Sequence, residues 1–506
     1  MEANFDFRSL FVLDLANNHQ GSVEHGLEVI SQHAEVVRQH GVRAAVKFQF
    51  RDLDTFIHPA HRGDSDNKHI SRFLTTRLSR QEFERLFQEV KAKGLYAMCT
   101  PFDEPSAKLI TEMKFDIIKV ASCSAEDWPL IEVVAESNIP VVFSTGGLSI
   151  DAIDNLVVFS EHRALSSALM HCVSLYPTPP ETCNLRNIAM LQQRYPGIPI
   201  GWSTHEDPEA SAPIQMAVAY GAQLFERHIG LATDDFKLNA YSSGPEQIDR
   251  WLATWKLAQS LAGSFARREP LDSEAKSLTE LQRGVFAKRA LKAGDQLEPD
   301  DVFFAMPLRD GQLESGKFRG GIVVKSEVGA EGALMERDLQ LPELTDSQKL
   351  KQYVHKVKAM LNIAGIKLGR EFYVEYSHHY GIPNFGKTGC VLIDCVNREY
   401  CKKILVQLPG QSHPYHFHKL KEETFQVLWG EMHLDIDGEE RLMKPGDSAV
   451  VLPGAWHRFR TECGFIAEEI STTHHNNDSI YKDPAINRLP REERKTVVKH
   501  WGRFEV

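Results

Sequence analysis

Eight short apolar runs punctuate the first 265 residues, at 10–16, 44–50, 95–99, 117–121, 140–144, 168–172, 199–203 and 222–226. Between most of them apolar residues recur at helical spacing, for example over 81–93 and 127–137. Continuous apolar runs alternating with amphipathic helices predict buried strands of a parallel sheet. Eight such units in about 250 residues match the count and size of a closed (β/α)8 barrel. An open doubly wound sheet is the competitor, but no glycine-rich dinucleotide turn follows the first run. The expected fold of residues 1–265 is therefore an α/β TIM barrel.

Polar residues cluster where these runs end, which in such a barrel is the face that binds ligands. His205 and His228 follow consecutive runs, so two imidazoles are expected to converge on one metal ion or anion. Lys47 and Lys119 lie within apolar runs. With small hydroxyls such as Ser144 and Ser203 and the amides of Ser144-Thr145-Gly146, they make an anion cradle suited to a phosphate plus a carboxylate. Asp14 and Glu226 are placed to act as acid or base. A metal beside a phosphate site implies Lewis-acid activation of a carbonyl. The plainer reading makes each histidine a strand cap and each lysine a buried ion pair.

Composition narrows the field. At 506 residues the chain exceeds a single core. A formal charge of −11 argues against a nucleic-acid surface, and no apolar run reaches membrane-spanning length. The opening M-E-A-N-F-D-F-R-S-L lacks the pattern of a signal peptide. Eight cysteines without paired spacing suit reduced thiols in a cytoplasm.

In order along the chain stand D-L-A-N-N-H-Q-G, V-K-F-Q, T-P-F-D, K-V-A-S, S-T-G, H-C-V-S-L-Y-P-T, G-W-S-T-H and F-E-R-H-I-G. Over residues 9–262 this series resembles the sialic acid synthase family. The resemblance implies condensation of phosphoenolpyruvate with an aldose, giving a 3-deoxy-2-keto acid and phosphate. It implies that His205 and His228 hold a divalent ion, manganese or magnesium. Phosphoenolpyruvate would be bound by Lys47, Lys119, Ser144, Asn184 and Ser203. Asp14, Tyr176, Glu226 and Asp235 would face the sugar, with Asp14, Lys119, Glu226 and His228 carrying the chemistry. Two departures fall on the sugar side: Asp14 replaces the family's usual Glu, and Thr233-Asp234-Asp235-Phe236 replaces a Gly-Pro-Asp-His run. The reaction is expected to be kept and the sugar altered.

Residues 266–345 change to alternating patterns punctuated by Gly and Pro. They resemble the small α+β antifreeze-like (SAF) domain of the same family, which implies a domain-swapped homodimer; Arg309 is the candidate to reach over the partner's sugar. Residues 346–367 read as a charged helical connector. In 368–506 the run H-P-Y-H-F-H-K-L-K-E-E puts His416 and His418 on one face of a strand, with Glu423 past the bend and His457 after a Pro-Gly turn. Three imidazoles and a carboxylate form a divalent-metal set with open positions, for Mn, Zn, Fe or Co. The pattern resembles an all-β cupin barrel, and its flanks resemble D-lyxose isomerase-type sugar cupins, implying metal-assisted aldose–ketose interconversion. Lys421 and Glu469 are candidate proton carriers.

The combined expectation is a cytoplasmic bifunctional enzyme acting on phosphoenolpyruvate and a small sugar, without nucleic acid or membrane. Its cupin isomerises a ketose to the aldose that its barrel condenses. One alternative is an ordinary nonulosonic acid synthase whose cupin only binds or senses sugar. A non-enzymatic sugar-binding protein is a third, against which Lys47, Lys119, His205 and His228 all speak.

Overall fold

A computed structural model describes residues 5–62, 67–264 and 269–499. The chain forms two compact units, Met1–Arg268 and Glu269–Val506. Among the described residues no helix is long and apolar enough to cross a membrane.

The first unit is a closed barrel of eight parallel strands in sequential order. They are β1 (Leu10–Asp14), β2 (Arg43–Phe50), β3 (Tyr96–Pro101), β4 (Ile117–Val120), β5 (Val141–Ser144), β6 (Ser167–Cys172), β7 (Ile200–Thr204) and β8 (Leu224–His228). Each falls within two residues of an apolar run in the sequence. Helices between them pack on the outward residues, where Phe11, Leu13, Val46, Phe48, Phe143, Trp202 and Phe225 join one buried cluster. The first, Val23–His40, starts at an Ser22 N-cap that accepts from the His25 amide and stops at Gly41, whose φ of 63° suits a residue without Cβ.

Inside the barrel the side-chain period of two separates a dry floor from a polar layer. Leu10, Val12, Ala45, Met98, Ile117, Val142, Ala168, Met170 and Leu224 fill the floor. The next inward position along most strands is polar: Asp14, Lys47, Thr100, Lys119, Ser144, Ser203 and Glu226, all buried. Gly201 belongs to the floor because a Cβ there would lie 2.5 Å from the Leu224 carbonyl oxygen. The floor shuts the barrel from below, so the polar layer opens only towards the carboxyl ends of the strands.

In the second unit, Gly284–Ala287 pairs with Val302–Ala305 and Val323–Val324 with Leu339–Gln340, all antiparallel. They enclose a small core of Val285, Leu291, Leu297, Leu313, Ile322 and Leu334. The helical part expected of residues 266–345 is helix Asp272–Leu281, ahead of these strands; among the described residues of 284–340 the only helical pieces are three-residue 3-10 turns. Glycines and prolines interrupt the segment too often for a longer helix.

The helix expected as a connector, Asp346–Ile363, is instead part of the cupin core. Leu350, Val354, Val357 and Leu361 recur at helical spacing and bury against Val374, Tyr376, Val391 and Ile393. Two antiparallel sheets follow. One orders Ser448–Val451, Glu423–Gly430, Phe465–Thr472, Tyr400–Gln407, Cys390–Asn397, Tyr373–Ser377 and Lys495–Lys499. The other orders Glu439–Met443, Met432–Ile436, His457–Arg460, His416–His418 and Ser479–Tyr481.

Candidate active site and metal centre

At the barrel mouth the polar layer forms one charge network. Lys47 Nζ lies 2.9 Å from Asp14 Oδ2 and 3.2 Å from Glu226 Oε1. Lys119 donates to the same Glu226 oxygen and sits 3.4 Å from Ser203 Oγ. Ser203 in turn donates to Glu226 Oε1 at 3.0 Å. Asp14 Oδ1 accepts from the Ala16 amide at 3.0 Å, and its Oδ2 faces His228 Nε2 at 3.3 Å. The lysines are thus the buried ion pairs of the plainer reading and also converge on one site.

Burial opposes charge throughout, and the pairing decides which groups keep it. At Lys47 burial is outweighed by Asp14 and Glu226, which raise it above the ordinary lysine value. At Lys119 burial wins, helped by the neighbouring Lys47, and the ammonium is held below its ordinary value. Burial also works against the Glu226 charge, yet Lys119 and Lys47 overcome it and keep the carboxylate ionised. Burial, then His228, takes His205 down to about 3, and burial lowers His228. Both imidazoles are neutral at pH 7, the form that ligates metal.

The two rings are 5.3 Å apart. His205 Nδ1 donates to the Val173 carbonyl at 3.1 Å, leaving Nε2 for a ligand. The Tyr176 ring packs 4.3 Å from His205, where the sequence placed a sugar contact. Tyr241, from the loop after β8, packs 5.2 Å from His228 and 5.3 Å from Tyr176. Sequence reading missed Tyr241, since nothing marks a loop tyrosine thirteen residues past a strand end as converging on that strand. Asn184 lines a cavity of about 480 Å³ with Thr145, Gly147, Cys172 and Ser174. Ser144 is buried at the end of β5. Asp235 is exposed in the β8 loop and joins none of these contacts. Arg309 is exposed in the second unit, its amide donating to Gln312 Oε1 at 2.9 Å.

In the cupin, His416, His418 and His457 offer ligand atoms all within 4.8 Å of one another, the only such group of three or more among the described residues. Glu423 completes the expected set, with Oε1 3.3 Å from His418 Nε2 and Oε2 3.1 Å from His457 Nε2. Each imidazole has Nδ1 against an oxygen: Pro414 carbonyl at 3.1 Å for His416, Ala455 carbonyl at 3.1 Å for His457, Ser479 Oγ at 3.3 Å for His418. That turns the three Nε2 atoms to a common point. Apart from their contact with each other, Glu423 Oε2 and His457 Nε2 are buried without a hydrogen-bond partner, which leaves both for a cation. Burial lowers His416 and His418 and keeps them neutral. The residues fit a divalent metal.

Lys421 bridges Glu423 at 2.5 Å and Glu469 at 3.0 Å, so the two candidate proton carriers are one chain leading to the metal set. Sequence reading missed what surrounds it. His413 packs on the His416 ring and contacts His379, Nε2 to Nε2, at 3.1 Å. Glu375 binds Arg491 at 2.6 Å and Lys495 at 2.7 Å. His413 opens the histidine motif itself, whereas His379, Glu375, Arg491 and Lys495 come from segments far from it in the sequence that the fold brings alongside.

A closed parallel barrel with an ionised, imidazole-topped mouth, followed by a cupin with a three-histidine centre, defines the class of this protein. The profile of the NeuB family matches residues 35–265, and that of the cupin domain matches 404–463. The chain is 30% identical over 294 residues to an uncharacterised protein of Methanocaldococcus jannaschii, covering 58% of this chain and 83% of that one. It is 27% identical over 327 residues to the N-acetylneuraminate-9-phosphate synthase of Drosophila melanogaster, covering 58% and 85%. A crystal structure of a Chromobacterium violaceum protein assigned as spore coat polysaccharide biosynthesis protein E superposes with a TM-score of 0.63 at 43% identity, covering 66% of this chain and 100% of that one. The chain belongs to the NeuB family and carries a cupin domain behind the barrel.

Proposed function

We propose that the barrel condenses phosphoenolpyruvate with an aldose to give a 3-deoxy-2-ulosonic acid, of sialic-acid or octulosonic-acid type, plus phosphate. The observation that carries this is the buried network at the mouth, where two ammonium groups share one carboxylate oxygen beside two neutral imidazoles. The Drosophila relative, a synthase by name, supports it. In the reaction, phosphoenolpyruvate C3 bonds to the aldehyde carbon, water adds at C2, and phosphate leaves. Lys47, Lys119, Ser144, Asn184 and Ser203 bind phosphoenolpyruvate, their charge matching its phosphate and carboxylate. Asp14 and Glu226 move protons at the sugar and the attacking water, and Tyr176 and Asp235 position the sugar. A divalent ion, manganese or magnesium, held by His205 and His228 would polarise the aldehyde. With only two imidazoles, water and substrate would complete its shell.

The cupin, in this reading, is an aldose–ketose isomerase supplying the acceptor, using Mn, Zn, Fe or Co on His416, His418, Glu423 and His457. Lys421 and Glu469 shuttle the proton between neighbouring carbons. With a five-carbon sugar the product has eight carbons. A homodimer is part of the proposal, with residues 266–345 closing the partner's site through Arg309. It is supported by helix Asp272–Leu281, which buries none of its residues and leaves Leu278 and Leu281 exposed.

Phosphate release from phosphoenolpyruvate with manganese, across aldoses and ketoses, tests both halves in the full chain and a His416→Ala variant. A ketose that works only with the intact cupin, while its aldose works for both, supports the bifunctional enzyme. Release restricted to N-acetylated hexosamines and indifferent to the variant makes the cupin a sugar-binding module. No release with any sugar sinks the synthase.

A further inference from the structure

Arg51 stands one residue beyond β2, in the inward series Lys47, Gln49, Arg51. Its guanidinium is sandwiched between two rings, 3.5 Å from the Phe102 centroid and 4.0 Å from that of Phe73. Its one side-chain hydrogen bond goes to the neutral Gln49 Oε1, at 3.1 Å. Among the described residues no carboxylate pairs with it, and its Nε is buried without a partner. Every other charged group of the mouth is compensated: Lys47 by Asp14, Lys119 by Glu226. A desolvated cation held flat between aromatic faces, its edge donors largely unused, is built to receive a planar oxyanion.

Its depth says which molecule brings that anion. At ~3.3 Å per residue, Arg51 is about 13 Å further along the strand direction than Lys47. That is the entrance, beyond the lysines that take phosphoenolpyruvate in the reading above. The far end of an acceptor sugar reaches this level. We infer that Arg51 is a specificity residue that binds an anionic substituent, a phosphate monoester or a carboxylate, at the distal end of the acceptor. This rests on the proposed function for the identity of the two substrates; the unpaired, ring-clamped guanidinium is independent of it.

The test is calorimetric binding to the manganese-loaded full-length protein with no phosphoenolpyruvate present, so that the heat reports acceptor binding and not turnover. Three acceptor probes are compared: an aldohexose 6-phosphate, the matching hexuronate and the neutral aldohexose. The charged probes are expected to bind roughly 10–100-fold more tightly than the neutral one, as two charge-assisted hydrogen bonds allow. Arg51→Met, whose apolar stem still fills the gap between Phe73 and Phe102, removes that preference and leaves the affinity for phosphoenolpyruvate alone unchanged. Arg51→Lys restores part of it. Preference for the phosphate over the uronate, or the reverse, names the anion. A wild type without preference for charge overturns the inference, as does an Arg51→Met that keeps the preference or that loses phosphoenolpyruvate. Phosphate release is measured separately, so a failed synthase activity leaves these binding arms readable.

Discussion

Lys47 Nζ lies 3.2 Å from Glu226 Oε1, an oxygen that Lys119 and Ser203 also occupy, while Glu226 Oε2 is buried with no hydrogen-bond partner. One end of this carboxylate is saturated and fixed; the other is free to accept a proton or a water. Glu226→Gln keeps the shape but removes the charge that balances both lysines. Turnover is expected to fall by roughly 10²–10⁴, the range of a lost acid–base group. Stability is expected to fall as well, by about 3–5 kcal/mol, since an uncompensated buried ammonium is left behind. Rates of phosphate release and denaturant unfolding check the two effects; a variant within threefold of wild-type rate would remove Glu226 from the chemistry.

The cupin ligands predict a metal requirement that can be counted. His457→Ala deletes one of three imidazoles whose Nε2 atoms share a point, so this variant should lose one metal equivalent per chain by elemental analysis. Chelation of the wild type should lower the melting temperature of the cupin, because ligand at about 100-fold over its dissociation constant contributes about 2.7 kcal/mol. The same chelator should leave the melting of His457→Ala where it is.

His33 gives the barrel an acid limit. Its ring is fully buried, with Nδ1 2.8 Å from the Val29 carbonyl, and burial pushes it down to about 4 from its ordinary 6.5. Above pH 6.5 the folded and unfolded chains both hold it neutral, so it contributes no pH dependence. Between 6.5 and 4 the unfolded chain gains a proton that the folded one refuses, and stability falls as pH falls, by on the order of 3 kcal/mol in all. His33→Asn, whose amide can still donate to Val29, should flatten the stability–pH slope in that window by about one proton. An unchanged slope counts against a neutral buried His33.

Leu350 is fully buried on helix Asp346–Ile363, against the cupin sheet. Leu350→Ala is expected to cost about 2–5 kcal/mol of cupin stability, a transfer loss plus a cavity. A solvated connector would lose almost nothing, so differential melting of the full chain separates the two.

Much of this was written along the chain. Apolar runs of strand length, spaced by helical patterns, determine a barrel, because period and length together leave few ways to bury both faces of a parallel strand. Lysine inside an apolar run marked Lys47 and Lys119, and histidines at one depth on neighbouring runs marked His205 and His228. His416 and His418 share a face because a strand has a period of two. Tertiary structure decided the rest. Arg51 reads in sequence as an ordinary surface arginine; only Phe73 and Phe102, brought in from other elements, clamp it and leave it unpaired. Tyr241 reaches His228 by the path of a loop, which no periodicity encodes. The helix at 346–363 carries enough charge to look like a connector, and its buried stripe acquires meaning only when a sheet arrives to cover it. Local sequence dictates what a segment prefers to be, whereas the partners of a charge or an apolar stripe are chosen by residues that lie on other elements and that only the fold brings near.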